Sequence, residues 1–288
     1  MKLSSNMMRF YHEWGIRKTI DVFSEAGLEA IEFNTDLEEY YRDSHDEAFY
    51  RELRDYAKEK GISFWQAHAP YETSFAEEEK NKQRFRDIVT SMRHASWLGV
   101  QRMVVHPARH LPCNEPAQHE IMMAYNRNFY QSLIPYAEEF GMKIAIENIM
   151  YSVTQTAEGL LALIHGLDNE VFTVCCDIGH AHIAGQDAAE MIRTLGRHIT
   201  CTHVHDNDGK QDLHTLPYHG TIDWESVMQA LAESGYEGNL NYEAGPFVKN
   251  LPGPLKADAA QYMACVGRHL IARFWHYKRE STSVKHGQ

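Results

Sequence analysis

The sequence predicts a single-domain (β/α)8 TIM barrel, and three observations carry that prediction. Short apolar, β-branched runs recur eight times along the 288 residues. Segments with helical spacing lie between them, and glycine often stands just ahead of the next run. Continuous apolar strands alternating with amphipathic helices call for parallel pairing with both sheet faces covered. Eight such units in a chain of this length fit a closed barrel better than an open sheet.

The runs follow in order. KLSSNM (2–7) opens the chain, and LEAIEFN (28–34) comes after the helical spacing of Ile20, Val22 and Phe23. ISFWQAH (62–68) is third; VQRMVVH (100–106) follows Ile88, Val89, Met92 and Trp97. MKIAIEN (142–148), VFTVCCD (171–177), ITCTHVH (199–205) and NLNYEAG (239–245) complete the set. Gly27, Gly61, Gly99, Gly141 and Gly238 stand where a helix would end through a left-handed residue and turn into the sheet. No GxGxxG follows the first run, which disfavours a doubly wound dinucleotide-binding sheet. No linker or composition break divides the chain, so the barrel is assigned to residues 1–275 and the polar HYKRESTSVKHGQ (276–288) to a tail.

Composition narrows the function. With 43% apolar and 24% charged residues, the chain is that of an ordinary soluble protein. Lys and Arg number 28 against 40 Asp and Glu, a net charge of −12, which argues against a general nucleic-acid surface. MKLSSNMMRF lacks the apolar segment of a signal peptide and no run is long enough to span a membrane, so a cytoplasmic protein is expected. Homo-oligomerisation is compatible with all of this. The five cysteines (Cys113, Cys175, Cys176, Cys201 and Cys265) form no CxxC pair and are expected reduced and buried. Histidine is abundant, at 18 residues, which favours a metal site.

In a barrel of this kind the active site gathers at the C-terminal ends of the strands. There the third run ends in His68, the fourth in His106, the fifth in Glu147 and the sixth in Asp177, with His180 just beyond. The seventh carries His203 and His205, and the eighth Glu243. Each of these alone is more often a satisfied polar residue or a helix cap, and an Asp at a strand–helix junction, such as Asp177, is commonly a cap. Together they would converge on one axis, where carboxylates and imidazoles repel or desolvate one another unless a cation holds them. Mixed nitrogen and oxygen ligands suit Zn2+, Mn2+ or Co2+ better than Mg2+ or Ca2+. Strand alternation puts Cys201, His203 and His205 on one face. Beyond them, Asp206 and Asp208 read as turn residues, whereas the Asp212-x-His214 spacing lets both side chains bend back toward a further metal.

These segments (HAPYE, VVHPARH, IAIEN, DIGHAH, HVHDNDGKQDLHTLPYHGTIDW and NYE) resemble the superfamily of xylose-isomerase-like TIM barrels, over about residues 2–270. That superfamily includes sugar and sugar-phosphate isomerases and epimerases and also endonuclease IV. The epimerase branch implies one divalent ion held at Glu147, Asp177, His203 and Glu243, with His180 and His205 touching the sugar. The endonuclease branch implies a three-zinc site that adds His68, His106, His180, Asp212 and His214. All nine positions match, so the set alone does not choose the branch. Two departures bear on the choice: LPYHG (216–220) replaces the family's frequent PPGEG, and His205 stands where endonucleases have asparagine.

The leading expectation is a divalent-metal-dependent sugar or sugar-phosphate isomerase or epimerase, acting by proton transfer through an enediolate. Glu147 and Glu243 are the expected proton-transfer pair, and Arg109 and Lys210 are candidates for a phosphate. The alternatives are a multi-zinc phosphodiester hydrolase and a keto-sugar or cyclitol dehydratase on the same residues. A small-molecule substrate is expected in preference to nucleic acid, which the charge disfavours.

Overall fold

A computed structural model describes residues 1–42, 44–113 and 115–286, with side chains described to residue 281. Eight strands form in the expected order: β1 (Leu3–Asn6), β2 (Ala30–Asn34), β3 (Ser63–His68), β4 (Arg102–Val105), β5 (Lys143–Glu147), β6 (Phe172–Asp177), β7 (Ile199–His203) and β8 (Leu240–Tyr242). Neighbours pair in parallel from β7 through β1 to β8. A bridge between Val204 and Tyr242 joins the two ends, with Val204 N donating to Asn241 O at 2.8 Å and Glu243 N to Val204 O at 3.1 Å. The sheet is therefore a nearly closed (β/α)8 TIM barrel forming a single domain, and the open-sheet alternative is excluded.

Helices cover the outside because every strand sends alternate side chains outward. Ile31 and Phe33, Ile144 and Ile146, and Leu240 and Tyr242 belong to the main apolar core between sheet and helices. Several helix starts are fixed by side-chain caps, each satisfying backbone N–H groups that lack an intrahelical partner. Asp46 accepts from Phe49 N, Thr156 from Gly159 N, Asp187 from Ala189 N and Asp223 from Glu225 N. The last helix (Gly253–His286) packs on the first (Met8–Ala26) and on Trp224–Glu233, and it continues into the segment set apart as a polar tail as far as His286, with residues 287–288 outside the described residues. No helix among the described residues is long and apolar enough to cross a membrane.

Two expectations are corrected. Of the glycines before strands, Gly27, Gly61, Gly99 and Gly141 take positive φ as anticipated, but the turn into β8 uses Gly235 (φ 74°) instead of Gly238. A Cβ at Gly238 would sit 2.2 Å from the Tyr236 hydroxyl, so that glycine answers to close packing. The cysteines are all free, but only Cys175, Cys176 and Cys201 are buried; Cys113 is half-buried and Cys265 is exposed on the outer face of the last helix. The apolar runs that announced burial cover the first three only.

Inside the barrel, Val104, Ala145, Cys175 and Cys201 form a separate small apolar layer contributed by β4 to β7. Each lies two residues before a strand-end polar residue: His106, Glu147, Asp177 and His203. Period-two alternation thus seats the site directly on an apolar floor. Under native conditions a thiol reagent should titrate Cys265 rapidly, Cys113 more slowly, and the three strand cysteines only on unfolding. Fast reaction of all five would contradict this burial.

Candidate metal centre

At the C-terminal mouth, ligand atoms of Glu147, Asp177, His203 and Glu243 all lie within 4.8 Å of one another, and all four residues are buried. His203 Nδ1 faces Glu147 Oε1 at 3.2 Å, Glu243 Oε2 at 3.3 Å and Asp177 Oδ2 at 3.6 Å. Two further groups adjoin it. His68 and His106 point Nε2 at Glu147 Oε2, at 3.5 and 3.0 Å. His180, His205, Asp212 and His214 gather on the other side, with ligand atoms likewise within 4.8 Å.

The imidazoles are held by their other nitrogens. His68 Nδ1 lies 2.7 Å from Ala69 O, His180 Nδ1 3.1 Å from Asn148 O, and His214 Nδ1 2.7 Å from Glu243 O. A carbonyl can only accept, so the proton sits on Nδ1 in the neutral ring and the Nε2 lone pair points inward. His205 Nε2 lies 3.0 Å from Asp177 Oδ1, and its ring stacks on His214 at 3.8 Å. Locking the outer nitrogen in this way is what orients histidine for a metal.

Local structure places each side chain. Asn148, the last residue of IEN, accepts from Asp177 N at 2.7 Å and donates to Asp177 O at 2.8 Å, tying the ends of β5 and β6. Asp177 also caps the short helix Ile178–Ile183 through His180 N at 2.7 Å, so the cap and site readings hold together. Gly179 leaves room for the His205 ring; a Cβ there would lie 2.0 Å from His205 Cε1. Asp206 shapes the next loop: its carboxyl accepts from Asn207 N, Tyr218 N, Ile222 N and Trp224 Nε1. Asp208 receives Lys210 N and Gln211 N, a local turn. His214 adopts a left-handed φ of 44°, a conformation costing side chains of order 1–3 kcal/mol, and Asp212 holds its Nε2 at 3.1 Å.

The electrostatics fit a cation. Burial favours the neutral form of Glu147, but His203 and His106 outweigh it and hold its carboxyl well below the usual range. Asp177 is likewise held low against burial, by His180 and His205. Burial wins at Glu243, with Glu147 and Asp177 adding repulsion, and its pKa rises. Both Glu147 oxygens, His203 Nδ1 and His68 Nε2 are buried without a hydrogen-bond partner. Unpaired buried polar atoms of this kind are costly, and a divalent ion would satisfy them together. The donor set therefore fits Zn2+, Mn2+ or Co2+.

Above the cluster lies a cavity of about 220 Å³ lined by Tyr71, His106, Arg109, Glu147, Ile149, Met150, His180, Asp212, His214 and Glu243. It is smaller than the roughly 300–1,000 Å³ usual for drug-sized ligands, so it suits one small polar molecule. A larger cavity of about 850 Å³ near Cys113 and Tyr151 includes none of the clustered ligands. Arg109 reaches the rim, with Nη1 3.4 Å from Met150 O, whereas Lys210 is exposed on the loop and does not line the cavity. Of the aromatics Trp14, Trp65, Tyr71 and Tyr218, only Tyr71 lines it. Trp14 packs on Phe10, Trp65 lies under Arg102 at the opposite end, and Tyr218 is 49% exposed beside His269.

Sequence reading missed Glu32, which is buried in the lumen with its Oε2 2.9 Å from His203 Nε2. Its signal was an acidic residue between Ile31 and Phe33 in an apolar run, on the face opposite both.

A sequence model of the family described as xylose isomerase-like TIM barrel matches residues 20–263. An uncharacterized protein of Methanocaldococcus jannaschii is 30% identical over 186 residues, covering 61% of this chain and 62% of that protein. An inosose dehydratase of Clostridium perfringens is 29% identical over 125 residues, covering 38% and 42%. These matches span less than two thirds of either relative. Two solved structures share the fold: a D-tagatose 3-epimerase-like protein (TM-score 0.77, 22% identity, 98% and 100% of the two chains) and the IOLI protein with a zinc atom (TM-score 0.77, 20% identity, 96% and 99%).

Two measurements probe this geometry. Gly179→Ala should lower stability by about 1–3 kcal/mol in denaturant titrations, because the His205 ring must move; an unchanged midpoint would mean the ring is loosely held. In metal-free protein, burial lowers the His214 pKa, but Asp212 and Glu243 outweigh it and bring it to about 9 from an ordinary 6.5. A group raised on folding stabilises fully below its unfolded value and loses that contribution as pH rises through the folded one. The stability advantage of wild type over His214→Gln should therefore be largest below about pH 6.5 and shrink through about pH 9.

Proposed function

The chain belongs to the xylose isomerase-like TIM barrel family, and from that premise we propose that it is a divalent-metal-dependent isomerase or epimerase of a sugar or sugar phosphate. One observation carries this reading. Two glutamates from separated strands, Glu147 at the end of β5 and Glu243 just after β8, line the same small cavity and approach His203 Nδ1 at 3.2 and 3.3 Å.

Isomerisation and epimerisation both begin by removing a proton from the carbon beside a carbonyl. Zn2+, Mn2+ or Co2+ at Glu147, Asp177, His203 and Glu243 would supply Lewis acidity toward the carbonyl and its neighbouring hydroxyl. Glu147 and Glu243 are the proposed proton-transfer pair: one takes that proton to leave the enediolate, and a proton is returned from the other. Epimerisation follows if it goes back to the same carbon, and isomerisation if it goes to the adjacent one. His180, which lines the cavity, is the proposed contact for sugar hydroxyls; His205 is buried with its ring stacked on His214 and does not line the cavity, so a sugar contact there would need that wall to move. His68, His106, Asp212 and His214 remain candidates for further metal or substrate contact. Arg109, at the rim, suits a phosphate; Lys210 would have to move to reach it.

The names of the structural neighbours support sugar chemistry, and the net charge of −12 supports a small molecule over nucleic acid. Buried thiols in β6 and β7 suit a cytoplasmic location. Dehydration of a keto-cyclitol is the second reading, favoured by the inosose dehydratases among the relatives. It starts with the same proton abstraction and ends with loss of a hydroxyl as water.

Purified protein should contain about one divalent ion per chain, and incubation with ketoses and their phosphates in deuterated water should place deuterium on carbon. No exchange with any of them would defeat the isomerase reading. An unsaturated product from a keto-cyclitol would establish the dehydratase, and nicking of an abasic-site oligonucleotide with three bound zincs would establish the hydrolase. Glu243→Gln should lower turnover by at least about 10²-fold with the fold intact, and full activity would remove Glu243 from proton transfer.

A further inference from the structure

We propose that Glu32 is a positioning residue for the metal centre, acting through His203; the inference rests on the metal-dependent reading above. Glu32 lies on β2, across the lumen from the cluster, and is fully buried. Its Oε2 accepts from His203 Nε2 at 2.9 Å, from Asn241 Nδ2 at 3.1 Å and from the Gln66 amide. Glu32 thus receives donors from β3, β7 and β8 on one oxygen.

The arrangement divides the layer beneath the site in two. Under His106, Glu147, Asp177 and His203 the layer is apolar, made by Val104, Ala145, Cys175 and Cys201. Under His68 and Glu243, the positions two residues earlier on β3 and β8 are Gln66 and Asn241, and both donate to Glu32. This polar half is hydrogen-bonded to the site through the His203 ring. With Nε2 bonded to a carboxylate, the proton belongs on that nitrogen, and the Nδ1 lone pair is turned toward Glu147, Asp177 and Glu243.

A structural role alone does not account for a carboxylate here. Glutamine would accept from the same three donors without burying a charge, which is unfavourable in the lumen. The lumen already holds Glu147, Asp177 and Glu243, so a fourth carboxylate adds repulsion unless a cation is shared. A negative partner on the far nitrogen fixes the tautomer and raises the ligand's basicity toward a metal, and that property requires the charge.

The test is Zn2+ affinity, measured by chelator competition on full-length wild type, Glu32→Gln and Glu32→Asp. Glu32→Gln should bind Zn2+ about ten- to a hundredfold more weakly, with part of the loss recovered in Glu32→Asp. Equal affinity in wild type and Glu32→Gln, with only the melting temperature of the metal-free protein changed, overturns the positioning role. Absence of Zn2+, Mn2+ and Co2+ binding by wild type overturns the metal-dependent reading itself. Should Glu32→Gln not fold, long-range 1H–15N spectra of Zn2+-loaded wild type decide, with the resonance assigned by its loss in His203→Gln. A proton on Nε2 with Zn2+ on Nδ1 is expected, and a proton on Nδ1 overturns the proposal.

Discussion

Four carboxylates, Glu32, Glu147, Asp177 and Glu243, are buried around one imidazole in the lumen of a barrel, and the rest of the site follows from that constraint. Charges in such a place cost several kcal/mol each unless they are paired and hydrogen-bonded. Here the compensation comes from histidines on four strand ends and the loops that follow. It is incomplete: both oxygens of Glu147 and Nδ1 of His203 are left without hydrogen-bond partners. Buried donor atoms left open in this way fit a cation, and the fold has to be rigid enough to keep them open.

That rigidity is built from small local choices. Asn148 clasps the backbone of Asp177, Gly179 admits the His205 ring, and the Asp206 carboxyl gathers four donors that shape the loop into LPYHG. Gly220 completes that loop, because a Cβ there would lie 2.2 Å from both Asn207 O and Asp206 Oδ1. On the wall opposite, Tyr71, 40% exposed, stands with its ring 4.8 Å from that of His68 and 5.2 Å from that of His106.

His205 is one of two departures from the resembling endonucleases that the site displays within this frame. It sits where the resembling endonucleases have asparagine, bonded to Asp177 and stacked on His214. The second group of ligands, His180, Asp212 and His214, thereby gains an imidazole against its inner side. The cluster keeps the nine positions that the resemblance to endonuclease IV implies for a multi-metal site, yet the cavity above it is on the scale of one small polar molecule.

The sequence by itself determined the eight strands, their parallel order, the residues at their ends and hence the barrel. Period-two alternation and strand-end position are local properties that a one-dimensional pattern preserves. It also placed His68, His106, Glu147, Asp177, His180, His203, Asp212, His214 and Glu243 at one mouth, because parallel strands point the same way. Tertiary structure alone decided what depends on crossing the lumen. Glu32 meets His203 from 171 residues away in sequence, and Asn241 meets Glu32 from 209. Lys210 is exposed and does not line the cavity, Tyr71 alone of the four aromatics lines it, and Cys265 is exposed. Such pairings are set by barrel closure and loop geometry, and no local periodicity encodes them.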